Sequence, residues 1–339
     1  MNSFLLRVNE IVNRLLGPHA SWFTELHREE KVRVALFLLV IITIYVVALI
    51  AIVQWLRGRN GGAGWMGRFW RVIRIVALAS AAAGTGCIVY GYAIEPYWPE
   101  ITHLQLSTTK LAAGSKALRI VQISDLHCDG KPRLEPRLPE LIAHEHPDLI
   151  VYTGDSADRN SGVGQFRDLI AQLQRIAPLY AVQGNWDLNG HIEHDPFAST
   201  QLLPLRNQSV TLDLDNRRLW IGGVAMWDEP LVATYCPRTA FCVLLEHSPD
   251  WAEDVRDTGV DLYLAGHTHG GQVALPWYGA LATSSRFGKR YERGLYRVGN
   301  MWLYVNRGIG MNTLPFRFLS RPEITVFDIT PASSQVSHR

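Results

Sequence analysis

The sequence predicts an α/β protein: a β-sandwich flanked by helices and preceded by two transmembrane helices. Two observations predict this. The first third of the 339-residue chain holds two long apolar runs free of charge, whereas the rest is an ordinary mixture of charged and hydrophobic residues. From Leu118 onward, short apolar runs alternate with amphipathic stretches, the pattern of strands and helices in an α/β sandwich. A chain of this length buries a sizeable core in one domain with appendages.

Residues 1–33 space Phe4, Leu5, Val8, Ile11, Val12, Leu15 and Leu16 as on one apolar helix face, and read as an amphipathic N-terminal segment. Val34 to Val53 is a charge-free run, so 34–56 is predicted as the first transmembrane helix; twenty residues at ~1.5 Å each cover the ~30 Å hydrocarbon core. Residues 57–73 form an Arg-rich loop. Residues 74–94 form the second transmembrane helix, whose Ala79 to Gly86 stretch is small enough to pack closely on the first. Tyr90, Tyr92, Tyr97 and Trp98 suit a headgroup belt at its end. Between the spans lie Arg57, Arg59, Arg68, Arg71 and Arg74 with no acid, and no further Lys or Arg follows until Lys110. The positive-inside rule therefore places the loop in the cytoplasm and the large domain outside, against an opposing bias from Arg28, Lys31 and Arg33.

A polar linker, 95–116, leads to a domain predicted over 117–330, followed by a loose tail, 331–339. Within the domain, Leu118–Ser124, Leu149–Thr153, Leu179–Gln183, Leu219–Val224, Cys242–Leu245, Leu262–Ala265, Met301–Val305 and Ile324–Ile329 read as strands. Pro136–Glu145 and Gln165–Ile176 read as helices between the first three.

Five of these strands end at metal-type side chains: Asp125 and His127, Asp155, Asn185, His247, and the pair His267 and His269. Ligands of open α/β sheets bind beyond the carboxyl ends of the strands, so these seven donors are expected to converge. One Asp at a strand end is ordinarily a turn or helix cap; a run of such residues at successive ends is not explained that way.

These motifs resemble the calcineurin-like metallophosphoesterases. Asp125 and His127 form DxH, Asp155 closes GD, Asn185 closes GN, His247 stands alone, and His267 and His269 form GHTH, in family order. The further stretches GHTHGGQVALP, SRFGKRYERGLYR and LYVNRGIG are similar to a membrane-tethered phosphodiesterase branch. The resemblance implies a metallophosphoesterase-type sandwich. It implies one metal held by Asp125, His127, Asp155 and His269, and a second by Asp155, Asn185, His247 and His267. Mixed imidazole, carboxylate and amide donors favour two divalent transition ions, Mn, Fe or Zn, over Ca or Mg. Two ions sharing Asp155 would activate a bridging hydroxide for in-line attack on phosphorus, making Asp125, Asp155, Asn185 and His267 the catalytic set.

One position departs from the family. Relatives carry His after the Asn, assigned to protonating the leaving group; here Trp186 stands there, and indole supplies no such proton. His191 and His194 are the nearby substitutes, and a leaving group needing little protonation, such as a phosphate, is the other resolution. Arg286, Lys289, Arg290, Arg293 and Arg297 form a basic run; Arg307, at a strand end, is the candidate for a substrate phosphate. Asp187, Trp186, Trp227 and Trp277 are candidates for the pocket rim, with a core or membrane-facing role as the alternative.

A formal charge of +2 gives no basis for a nucleic-acid partner. The four cysteines lack a CxxC pattern, and Cys236 and Cys242 read either as a disulfide or as two buried thiols. The predicted partners are a membrane and a phosphorylated small-molecule or lipid substrate, cleaved at a phosphodiester or pyrophosphate bond. UDP-diacylglucosamine is one substrate implied by resemblance, though an outward domain would not meet a cytosolic nucleotide sugar. The alternative function is a catalytically silent phosphate- or headgroup-binding scaffold of the same fold.

Overall fold

The computed structural model describes residues 26–57, 64–190 and 192–332. Most of the N-terminal amphipathic segment, part of the Arg-rich loop, His191 and nearly all of the tail therefore lie outside the described residues. The chain divides into two compact units, one ending at Ile94 and the other beginning at Glu95.

The first unit contains α1 (Arg28–Leu56) and α2 (Trp65–Ala93), both long and apolar enough to cross a membrane. Each starts earlier than its apolar run. Glu, Lys and Arg are good helix formers, so the helix continues through the charged flank where the apolar stretch does not. Leu39, Ile42, Ile75 and Val76 present apolar surface that no described residue of this unit covers. The two helices meet where Tyr45 pairs with Thr85 at 2.9 Å, and a side chain at Gly84 would crowd the Tyr45 hydroxyl. That contact is a specific instance of small-residue packing between apolar helices.

The second unit is a sandwich of two mixed sheets. One has β1 (Glu100–Thr108), β13 (Glu323–Pro331), β2 (Leu118–Ile123), β3 (Leu149–Thr153) and β4 (Leu179–Val182) in that order. The other runs β11 (Gly294–Val298), β12 (Met301–Val305), β8 (Leu262–Ala265), β7 (Phe241–Glu246), β6 (Arg217–Val224) and β5 (Gln208–Leu214). Strand parity sorts the side chains. Ile120, Leu149, Val151, Val243, Leu245 and Leu264 meet between the sheets, while their neighbours Val121, Ile123 and Ile150 face α3 (Leu138–His144) and α4 (Asn160–Leu173). On the other outer face, Cys242, Leu244 and Tyr263 pack with Val255 of the short α6 (Ala252–Val255). A four-residue helix, α5 (Asn185–Leu188), follows β4 directly.

The expected linker is corrected by β1, which pairs in parallel with β13 from Glu100↔Glu323 to Thr108↔Pro331. Its polar composition reflects an edge strand with only one neighbour. β5 and β11 were likewise not among the expected strands; both are edges whose faces are only partly buried. Strands β2, β3 and β4 are parallel to one another, as are β6, β7 and β8. Their carboxyl ends thus open at one end of each sheet. Gln122 joins the sheets beneath those ends, its amide donating to Thr153 Oγ1 at 3.1 Å and to the Ala265 carbonyl at 2.9 Å.

Candidate metal centre

Two groups of donors assemble beyond the strand ends. Asp125, His127 and His269 form one and Asp155, His247 and His267 the other, with one ligand-type atom from each residue within 4.8 Å of the others in its group. Asn185 joins the second group, its Oδ1 3.1 Å from His247 Nε2. Asp155 touches both: its Oδ2 lies 3.2 Å from His247 Nε2 and 3.5 Å from His127 Nε2.

Strand alternation does not place His267 and His269, because β8 ends at Ala265 and both residues follow in a left-handed turn. Asp125, His127, Asp155, His267 and His269 all have φ between 45° and 69°. Left-handed backbone at non-glycine residues costs of order 1 kcal/mol each and concentrates at functional sites. The surrounding framework holds the loops in place. Asp125 N–H donates to the Gly154 carbonyl at 2.9 Å, and Gly266 N–H to the His247 carbonyl at 2.8 Å. Gly266 is required by space, since a Cβ there would lie 2.3 Å from Asp125 Oδ2. Gly184 is required for the same reason, at 2.2 Å from Asp155 Oδ1.

The outer ring nitrogens are held by acceptors. His247 Nδ1 donates to the Thr153 carbonyl at 2.7 Å, His267 Nε2 to the Ser284 carbonyl at 3.1 Å, and His127 Nδ1 pairs with Asp158 Oδ1 at 2.5 Å. In their neutral forms this leaves the inner nitrogens of His127, His247 and His267 as lone-pair donors, whereas His269 Nδ1 faces the Arg317 guanidinium at 3.2 Å. The inner nitrogens of His127 and His269 are 3.0 Å apart, and those of His247 and His267 3.2 Å apart. Ring nitrogens brought this close in a dry site, beside buried carboxylates, fit a cation between them.

The electrostatics match a cation-seeking pocket. Burial opposes charge on His127, but Asp158, Asp155 and Asp125 raise it to about 9. Burial likewise opposes charge on His247, and Asp155 raises it to about 10. Burial would raise Asp155, yet His247 and His127 hold it down near 2. His269 is pushed well below its usual value by burial, with His127 and Arg317 adding to the effect.

The remaining candidates separate. Trp186 lies edge-on to His127 with ring centroids 5.6 Å apart, and its backbone N–H donates to Asp155 Oδ1 at 2.9 Å. His194 is exposed, and His191 lies outside the described residues. Arg307 is bound to carboxylates: Glu323 at 3.0 Å and Glu100 at 2.9 Å. In the basic run, Arg286 pairs with Asp254, Lys289 with Glu292 and Arg290 with Glu253. Trp227 and Trp277 are exposed, while the Asp187 carboxylate is turned inward onto the loop backbone.

Sequence reasoning missed Asp158, the partner of His127, and Arg317. The Arg317 guanidinium is wholly buried, lies 3.2 Å from His269 Nδ1, and donates to the carbonyls of Arg307, Gly308, Gly310 and Ser320. Burial lowers it to about 9. Asp158 carried a signal, standing three residues after Asp155; Arg317 carried none.

Comparison with known proteins agrees with this geometry. Residues 118–271 match the model of the calcineurin-like phosphoesterase family. An uncharacterized metallophosphoesterase of Bacillus subtilis, YkuE, is 36% identical over 256 residues, covering 71% of this chain and 89% of that one. The phosphodiesterase YaeI of Escherichia coli is 30% identical, covering 74% of this chain and 96% of its own. The UDP-2,3-diacylglucosamine pyrophosphatase LpxG of Chlamydia muridarum is 24% identical, covering 70% and 91% respectively.

Proposed function

The chain belongs to the calcineurin-like phosphoesterases and is a metal-dependent hydrolase, and from that premise we propose that it cleaves a phosphodiester or pyrophosphate bond of a lipid-linked substrate at a two-metal centre. The observation that carries the two-metal reading is Asp155, whose carboxylate contacts an imidazole of each donor group. Asp125, His127, Asp155 and His269 would hold one ion, and Asp155, Asn185, His247 and His267 the other. Divalent ions of the Mn, Fe or Zn type supply Lewis acidity toward water and phosphoryl oxygens.

The residues of the chain do the rest. Thr153 and Ser284 fix the tautomers of His247 and His267 through their carbonyls, so the inner nitrogens stay available as donors. The Trp186 N–H orients Asp155. The Trp186 ring fills the position of the family's proton donor, which favours a leaving group that departs as a stable anion, as in a pyrophosphate.

Membrane tethering supports the lipid part, since α1 and α2 each satisfy the length and composition of a span. The Arg-rich loop between them supports an extracytoplasmic domain, and so does the pairing of Cys236 with Cys242 as a disulfide. An outward domain favours a membrane-anchored pyrophosphate over a nucleotide sugar.

The test is hydrolysis of bis-p-nitrophenyl phosphate and p-nitrophenyl phosphate by the full chain in detergent, with and without added Mn, beside Asp155→Ala. Metal-dependent turnover of the diester by the wild type alone is the expected result. Metal-independent turnover would count against the two-metal reading, and no turnover of either substrate would favour a silent binding protein.

A further inference from the structure

Between the two turns that carry the site, the chain makes an excursion that the hydrolytic reading does not use. His269 to Gly271 form one turn, β9 (Ala274–Leu275) and β10 (Gly279–Ala280) form a small hairpin, and the chain returns to Ser284, whose carbonyl holds His267. The hairpin is thus rooted at both feet in the candidate metal centre. A side chain at Gly271 would lie 2.4 Å from the Ala280 methyl, so the feet close tightly.

At its tip stands Trp277, fully exposed at 104% and in the left-handed region with φ 60°. Among the described residues nothing covers the indole, and its backbone conformation is one that Gly or Asn adopts more readily. Folding therefore gives no account of a tryptophan here. Beside it Tyr278 is 46% exposed, with the Lys289 ammonium 3.7 Å from its ring centroid.

A second segment runs alongside. Ala274 N–H donates to the Phe318 carbonyl at 2.8 Å, Phe318 N–H to Gln272, and the Gln272 side-chain amide to the carbonyls of Asn312 and Leu314. That segment adds two more exposed apolar side chains, Leu314 and Leu319. Two loops stitched together beside the site thus each carry exposed apolar side chains.

We propose that this Trp277–Tyr278 hairpin, with Leu314 and Leu319, is a lipid-contacting element that rests in the headgroup layer of a bilayer. Trp and Tyr with a neighbouring Lys are the side chains that favour this zone, being apolar in body and polar at one end. A bilayer is the occupant rather than a protein, because the chain itself carries two helices of membrane-spanning length and so keeps a bilayer within reach. The contact would set the mouth of the site at the depth where the phosphates of lipids lie. It deepens the lipid-linked reading given above, but its test needs neither metal nor turnover.

The full chain with Cys87→Ser is reconstituted into vesicles of phosphatidylcholine and phosphatidylglycerol carrying doxyl-labelled lipid, with an environment-sensitive dye on Leu314→Cys. A control carries the dye on Asp215→Cys, an exposed position in the β5–β6 turn at the opposite end of the strands. The expected result is a blue-shifted emission from position 314 that doxyl lipid quenches, no such shift at 215, and loss of both effects when Trp277→Asp is added. Equal quenching at 314 and 215, or quenching at 314 indifferent to Trp277→Asp, overturns the proposal. Because Trp277 has no covering contacts, Trp277→Asp is expected to fold as the wild type, which the melting temperature in detergent checks. Failure here would leave metal-dependent hydrolysis untouched, and failure of hydrolysis would leave this result standing.

Discussion

Asp187 ties itself to Asp155 through the backbone: its Oδ2 accepts from the Asp155 N–H at 3.0 Å, and from the Gly184 N–H at 2.8 Å. Its Oδ1 accepts from the Ser156 N–H, also at 3.0 Å. One carboxylate therefore fixes the loop after β3 to the loop after β4, and with them two candidate ligands. Asp187→Ala leaves these donors without their partner and is expected to destabilise the domain by about 2 kcal/mol. Asp187→Asn, which keeps one acceptor oxygen, should cost less. Thermal melting in detergent gives the ranking, and equal melting temperatures for wild type and Asp187→Ala would contradict it.

Trp186 stands where the family resemblance implies a general acid, so on the proposed mechanism the wild type should depend steeply on leaving-group acidity. Across a series of aryl phosphodiesters the rate should fall sharply as the phenol becomes less acidic. Trp186→His should flatten that dependence and raise turnover of the poorest leaving group, up to the ~10²-fold at the lower end of general-acid effects. Identical slopes would show that the proton comes from elsewhere.

Glu323 is buried against Arg307 and also accepts from Thr102 and Tyr304. Burial alone would raise its pKa, but Arg307 outweighs burial and holds it below the usual carboxylate value. A depressed folded-state pKa contributes stability that is complete above the unfolded value, about 4.3, and is lost as pH falls through the folded one. Melting temperature should therefore drop on acidification below about pH 4.3 in the wild type, and less steeply in Glu323→Gln. Glu323→Ala, which leaves Arg307 with Glu100 alone, should cost about 3–5 kcal/mol at neutral pH. Parallel acid limbs for wild type and Glu323→Gln would remove Glu323 as their cause.

The metal-type residues were legible because each follows a strong apolar run, and strand ends of parallel sheets converge by topology. Their spacing within the chain carried the information. Arg307 shows the limit of that signal: it too follows a strand, yet its charge is satisfied by Glu323 and Glu100, which are remote or polar positions with no local mark. Arg317 is less legible still, since its five backbone and imidazole contacts form only when three loops close over it. β1 was hidden because an edge strand with a single partner needs no continuous apolar run. The His267–His269 turn was legible as a pair but not as a shape, because left-handed backbone at histidine leaves no trace in hydrophobic periodicity.

Cys236 and Cys242 close a disulfide across a short loop, with Cys87 and Cys128 free. A loop of this length gives about 2 kcal/mol of stabilisation in the chain-entropy picture, so reductant should lower the melting temperature of the wild type and leave a Cys236→Ser, Cys242→Ser variant unchanged. The same bond reports the compartment, because it persists only where thiols are oxidised. Protein trapped with acid and then denatured should take up alkylating reagent at two cysteines without reductant and at four with it. A periplasm-active reporter fused after Arg339 should be active under the same conditions. Alkylation at all four cysteines without reductant, with an inactive reporter, would place the domain in the cytoplasm, reverse the orientation drawn from the Arg-rich loop, and return a nucleotide-linked lipid precursor to the candidate substrates.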